Sequence, residues 1–205
     1  MARYLDIHPV NPQPRLVEQA VATLRDDGVI AYPTDSGYAL GIQLGNRTGL
    51  DRMRTIRQLD DKHHFTLVCH DFAQLGPLVH IDNAVFRTVK AATPGSYTFI
   101  LPATSEVPRR LMHPKKRSVG VRIPDHVLVQ SLLAALGEPL ISTTLLLPGQ
   151  DEPMTEGWQV QDEIGQLVDA VIEGEAGSLP TTVVDLTSGE AEIVRYGAGD
   201  ATRFE

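Results

Sequence analysis

The sequence predicts a mixed α/β fold, one sheet flanked by helices in a single domain over residues 1–205. Three observations carry that prediction. Short apolar runs of strand length first alternate with amphipathic segments of helical length. Strand-like runs then dominate toward the C-terminus, which favours a mixed rather than an all-parallel sheet. No repeat, low-complexity segment or linker divides the chain, and 205 residues suffice for one full core.

The elements follow in order. Residues 3–8 read as a first strand. Pro14 opens a helix at the one position where a missing N–H is harmless, and Leu16, Val17, Ala20, Val21 and Leu24 form its apolar stripe, with Gly28 at its end. Val29–Tyr32 is a buried strand, followed by a loop through Gly41. Asn46 caps a second helix carrying Leu50, Met53 and Ile56 inward, with Arg52, Arg54 and Arg57 on it or at its end. Phe65–Cys69 is a strand, Asp71–Leu78 a short helix, and Asp82 caps another bearing Val85, Phe86 and Val89. Pro94-Gly95 turns into a strand over Ser96–Leu101, and Val107–Met112 makes a helical turn. Ser118–Ile123 alternates as a half-buried strand does. Pro124-Asp125 starts a helix with Leu128, Leu132, Leu133 and Leu136, ended by Gly137. Leu140–Leu147 is a buried strand and its exit, 148–157 an exposed loop, and Gln161–Val168 a weak helix. Val168–Ile172, Thr182–Leu186 and Glu192–Arg195 are the last strands.

Composition narrows the function. The net charge of −8 excludes a uniformly basic nucleic-acid surface but leaves room for a local one. Arg109, Arg110, Lys115, Lys116, Arg117 and Arg122 cluster within 109–122, whereas the region after Gln150 is acidic. Cys69 is the single cysteine, so no internal disulfide forms. No apolar run reaches membrane-span length, and the first residues lack the apolar core of a secretory signal. Together these lead us to expect a cytoplasmic protein.

The stretch Pro33-Thr34-Asp35-Ser36-Gly37-Tyr38-Ala39-Leu40-Gly41 places hydroxyls, a carboxylate and glycines after a buried strand. It suits either a tight turn or a ligand site at strand ends. It has neither the dinucleotide fingerprint nor a phosphate loop with its lysine. The histidines, His63, His64 and His70 included, lack zinc-site spacing, and no cysteine or serine has a nucleophile's local context. Arg122 lies near the end of a strand on the face of Ser118 and Gly120, placed either to hold a carboxylate or phosphate or to form a structural ion pair. Lys115, Lys116 and Arg117 form either a phosphate-contacting tract or a solvated loop. Thr181-Thr182-Val183-Val184-Asp185-Leu186 again sets hydroxyls at the edge of a buried strand.

Four blocks together resemble the Sua5/YrdC/YciO family, over about residues 12–200. They are Tyr32-Pro33-Thr34-Asp35-Ser36-Gly37-Tyr38-Ala39-Leu40-Gly41, Thr93-Pro94-Gly95-Ser96-Tyr97-Thr98-Phe99-Ile100-Leu101, Val119-Gly120-Val121-Arg122-Ile123-Pro124 and Thr181-Thr182-Val183-Val184-Asp185-Leu186. Ile56-Arg57-Gln58-Leu59 and Asn11-Pro12-Gln13 look most like its YciO branch. The resemblance implies a YrdC-like twisted sheet around an open concave site. It also implies threonylcarbamoyl-AMP synthesis from threonine, bicarbonate and ATP with Mg2+, the first step of a tRNA modification, and double-stranded RNA binding at a basic surface.

By the same resemblance, Thr34, Tyr38, Arg57 and Arg122 are expected at the threonine-like substrate. Thr144, Thr181 and Arg195 are expected at the nucleotide, and Lys115, Lys116 and Arg117 at RNA. The synthases' K-x-R and S-x-N motifs are altered here to Arg57-Gln58-Leu59 and Thr144-Leu145-Leu146, and Asp60–His64 are extra. Weak or altered synthase activity follows as the expectation. A non-catalytic RNA-binding module and hydrolysis of threonylcarbamoyl products are the alternatives.

Overall fold

The computed structural model describes residues 1–60 and 63–205. The strands are β1 (Arg3–Asp6), β2 (Ile30–Thr34), β3 (Gly37–Gln43), β4 (Thr66–Val68), β5 (Tyr97–Pro102), β6 (Ser118–Arg122), β7 (Leu140–Thr144), β8 (Ala170–Glu173), β9 (Thr182–Asp185) and β10 (Glu192–Arg195). The helices are α1 (Pro14–Arg25), α2 (Arg47–Arg57), α3 (Phe72–Leu75), α4 (Asn83–Ala91), α5 (Val127–Leu136) and α6 (Gly157–Ile164). Short 3₁₀ turns follow α3 and precede β6, and another closes the chain.

Local chemistry accounts for most boundaries. Asn46 accepts from the Gly49 N–H, Asp71 from Ala73 and Gln74, and Asp82 from Ala84 and Val85, so each short polar side chain satisfies helix donors that have no partner within the helix. Gly137 ends α5 in the left-handed conformation, φ 81°. At the end of α1 the left-handed residue is Asp27, φ 59°, not the Gly28 expected from the sequence. α5 begins at Val127, later than Pro124-Asp125 suggests, because His126 supplies the cap to Val129. α6 begins earlier than expected, at Gly157.

The largest difference is the loop expected through Gly41. It is a hairpin: β2 continues through Pro33 and Thr34, and β3 returns antiparallel in register Ile30↔Gly41 to Thr34↔Gly37. Pro33 is tolerated because β2 pairs with β8 only at Ile30 and Ala31, so no ladder bond on that side is lost.

The ten strands form one mixed sheet in the order β1-β8-β2-β3-β7-β4-β6-β5-β9-β10. Alternation divides its side chains between two faces. Tyr38, Leu40, Ile42, Leu67, Phe99, Val121, Ile141 and Val184 point to one face and pack with Leu50, Met53, Leu75, Val85, Val89, Val160 and Ile164 from α2, α3, α4 and α6. On the other face, Ile30, Tyr32, Ala39, Leu140 and Ile172 pack under α1 and α5 through Val17, Val21, Leu24, Leu128, Leu132 and Leu133. These two helices cover the β1-β8-β2-β3 end and reach the near ends of β7 and β4 at Leu140 and Val68. Over the rest of β7-β4-β6-β5-β9-β10 no helix among the described residues covers the second face, and a hollow forms there.

Candidate functional site

The hollow has a volume of about 700 Å³, within the range of small-molecule sites. Its floor is the second face of the sheet: Ala39 of β3, Ser142 and Thr144 of β7, Thr66 and Val68 of β4, Ser118, Gly120 and Arg122 of β6, and Thr98 and Ile100 of β5. Thr181, Val183, Asp185 and Arg195 form one wall. His63, His64, His113 and Arg57 form another, with Asp151, Glu152 and Pro153 at the rim.

The β2–β3 turn is held from both sides. Thr34 Oγ1 donates to the Gly37 carbonyl at 2.7 Å and accepts from the Ser36 N–H at 3.1 Å. Gly177 packs so closely on the Asp35 carbonyl that a Cβ there would collide with it. The Asp35 carboxylate accepts from Ser96 Oγ at 2.9 Å and pairs with Arg122 Nη2. Arg122 Nη1 donates to Ser36 Oγ at 3.1 Å. Its Nε is buried and meets no partner among the described residues.

Two other guanidiniums face the hollow without a carboxylate partner among the described residues. Arg57 donates from Nε to the Leu146 carbonyl at 3.0 Å and from Nη1 to Thr143 Oγ1 at 2.7 Å. Arg195 donates to the Thr181 carbonyl and hydroxyl at 2.9–3.1 Å, and Thr181 Oγ1 is 2.9 Å from Thr98 Oγ1. Burial lowers the pKa of both guanidiniums, and for Arg195 the nearby Arg122 lowers it further. An arginine remains charged under these conditions. His63 Nε2 lies 3.0 Å from Thr143 Oγ1. Burial, with Arg57, His64 and Arg54 around it, lowers its pKa to about 4, so the ring is neutral at pH 7. Lys116 pairs with Asp185 at 3.0 Å.

The structure gathers Thr34, Arg57, Arg122, Thr144, Thr181, Arg195 and Lys116 around this hollow. Tyr38 is a correction: it sits on the opposite face, fully buried, and its hydroxyl donates to the Ile172 and Gly174 carbonyls. Alternation along β3 explains this, since Ala39 takes the floor position. Lys115 and Arg117 are exposed and lie outside the lining, so the basic tract divides. Leu59 packs against the core cluster on the helix-covered face, whereas Leu146 lines the hollow. In the extra segment Asp60–His64, Asp61 and Lys62 lie outside the described residues; His63 and His64 line the hollow.

Sequence reasoning missed Ser36, Thr143, His63, His64 and His113. The adjacent histidines were the available signal, but zinc spacing was the wrong test. Among the described residues no cluster of three metal-type ligands exists.

A sheet face that collects guanidiniums, imidazoles and hydroxyls around a small-molecule void makes the hollow the candidate site of this α/β domain. The chain belongs to the Sua5/YciO/YrdC family, whose model, described as telomere recombination, matches residues 22–197. It is 47% identical over 205 residues to the uncharacterised protein YciO of Escherichia coli (strain K12), covering all of both chains. It is 35% identical over 164 residues to the threonylcarbamoyl-AMP synthase of Vibrio vulnificus (strain YJ016), covering 78% of this chain and 87% of that one. The crystal structure of E. coli YciO matches all of both chains with a TM-score of 0.94 at 47% identity. Sua5 of P. abyssi complexed with L-threonine matches at a TM-score of 0.85 and 21% identity, over 96% of this chain and 57% of that one, a likeness of fold.

Proposed function

We propose that the chain is a nucleotide-binding protein of threonylcarbamoyl-AMP-synthase type with weak or altered adenylate formation. The observation that carries this reading is the placement of Arg57 and Arg195 on one hollow, both donating, among the described residues, to neutral oxygens. Their charge remains available to phosphates. The identity to the Vibrio vulnificus synthase supports the nucleotide, and the Sua5 complex with L-threonine supports a threonine-like ligand.

The chemistry asks for placement and positive charge, not for an acid–base pair. A threonine-derived carbamate carboxylate attacks the ATP α-phosphate and pyrophosphate leaves. Arg57 and Arg195 stabilise negative charge on the phosphates. Thr98, Thr144 and Thr181 offer hydroxyls to ligand oxygens. Two features argue for reduced turnover. Arg122 is already engaged by Asp35, so a ligand carboxylate must compete for it. Leu146 presents an isobutyl group to the hollow and donates no hydrogen bond. A charged hydrogen bond contributes roughly 1.5–3 kcal/mol, so each loss costs one or two orders of magnitude.

The side chains do not fit a resident Mg2+ site: Asp185 is held by Lys116, Asp151 and Glu152 stand at the rim, and among the described residues no group of three metal-type ligands converges. Mg2+ is proposed to arrive on the nucleotide instead. Double-stranded RNA or tRNA contact falls to Lys115 and Arg117, outside the hollow.

The test gives purified protein ATP, threonine and bicarbonate, and measures pyrophosphate and the mixed anhydride. Slow threonine-dependent pyrophosphate release is expected. Absence of both nucleotide binding and release, with tight salt-sensitive binding of duplex RNA, would sink the reading.

A further inference from the structure

The Thr143 hydroxyl stands between a permanent cation and an imidazole. Arg57 Nη1 donates to its Oγ1 over 2.7 Å, and His63 Nε2 lies 3.0 Å from the same oxygen. All three residues line the hollow. A guanidinium has no acceptor, so Thr143 must accept from Arg57. Its single hydrogen then has one place to go. Given to His63 Nε2, it leaves every member of the trio satisfied. If Nε2 donated instead, the Thr143 hydrogen would have no acceptor among the described residues. In the free protein the hydroxyl therefore points at the ring, and the imidazole proton is on Nδ1.

We propose that His63 and Thr143 form a proton-linked phosphate sensor: a phosphoryl or pyrophosphoryl group that settles against Arg57 draws a solvent proton onto His63 Nε2. Thr143 Oγ1 then accepts from both Arg57 and His63, and its own O–H turns from the ring to a phosphate oxygen. One proton is taken up and one new donor faces the ligand. The inference rests on the reading of the hollow as a phosphate site and deepens it by naming how the site recognises charge.

The surroundings of His63 explain why the switch needs an anion. Burial above all, then Arg57, the neighbouring His64 and Arg54, disfavours a proton on the ring; among the described residues Asp60 attracts one. His64 is itself stacked on His113, ring centroids 5.0 Å apart. In the free protein the ring therefore stays neutral well below pH 6. A phosphate beside Arg57 offsets the cationic share of that suppression and moves the ring's titration back toward its ordinary range, against the burial that remains. Selectivity follows: a neutral ligand of the same shape leaves the Thr143 hydrogen on His63 and gains no donor.

The test follows the His63 ring nitrogens by NMR on uniformly 15N-labelled protein, with inorganic pyrophosphate as the probe at about pH 5, between the lowered value and the ordinary one. The His63→Gln variant identifies the signals. The expected result is a neutral pattern in the free protein and an imidazolium pattern at saturation. Thr143→Val is expected to bind pyrophosphate roughly tenfold more weakly. If pyrophosphate binds saturably while the His63 ring stays neutral, the sensor is wrong and the phosphate site stands. If pyrophosphate does not bind the wild-type protein, the phosphate site and the sensor fall together. The wild-type spectra decide this even if a variant does not fold.

Discussion

Asp35, in the β2–β3 turn, holds Arg122, at the end of β6, across the floor of the hollow. Ser96 fixes the other carboxylate oxygen and Ser36 the other arm of the guanidinium. Three segments distant in sequence thus meet at one ion pair, with both side chains nearly buried. Removing one partner of such a pair leaves a buried charge uncompensated, which costs about 3–5 kcal/mol. Asp35→Asn keeps the shape and removes the charge. It is expected to lower stability by about 3 kcal/mol in urea unfolding, while the freed Arg122 strengthens binding of anions in the hollow.

Arg57 and Arg195 are expected to share the phosphate load. Arg57→Met and Arg195→Met should each weaken nucleotide binding by roughly 10–100-fold, the loss of one charged hydrogen bond. Titration calorimetry with ATP measures this. Equal affinity in both variants and wild type would remove the charge argument. Arg57→Lys should recover part of the affinity, since the charge returns without the fork that spans Leu146 and Thr143.

Much of the architecture was legible because it is written locally. Asn46, Asp71 and Asp82 sit where helices begin, the runs over 29–32 and 96–101 have strand length, and 118–123 alternates as a half-buried strand does. The hairpin was not legible. Tyr38, Ala39 and Leu40 are all buried, Tyr38 and Leu40 under helices and Ala39 under α1 and α5, so β3 shows no polar alternation to read. At the site, alternation along its strand assigns a face to Arg122, whereas Thr34, Thr144, Thr181 and Arg195 were expected from the family resemblance and the fold brings them to the hollow. Thr143 was not legible, since its role depends on Arg57 from α2 and His63 from the following segment. Asp35 was quoted in a motif, yet its pairing with Arg122 is set by tertiary structure alone.

The two altered motif positions should respond differently to restoration. Leu146→Asn places an amide in the hollow, where water or a ligand satisfies it, and is expected to change stability little while raising nucleotide affinity. Leu59→Arg instead drives a charge against the core cluster that Leu59 helps cover. That substitution should destabilise by about 1–3 kcal/mol without improving binding. Thermal unfolding and calorimetry on the two single variants separate these effects.

His63 makes the folded chain sensitive to mild acid. Its pKa is lowered from 6.5 to about 4 in the folded chain, chiefly by burial and then by Arg57. Between those values the unfolded chain binds the extra proton, so unfolding gains as pH falls. Stability is therefore expected to decline from pH 6.5 toward pH 4 through this group and to level off below. Asp185 acts in a lower window. Burial raises its pKa, but hydrogen bonds from Thr187 and Lys116 outweigh that and hold it under 3.8, so its contribution is lost only in stronger acid. Urea midpoints measured across the mild-acid range should fall in the wild type and change less in His63→Gln. Saturating pyrophosphate should flatten the wild-type curve as well, because the ligated fold then binds the same proton as the unfolded chain. An unchanged slope in His63→Gln would assign the acid sensitivity to other groups.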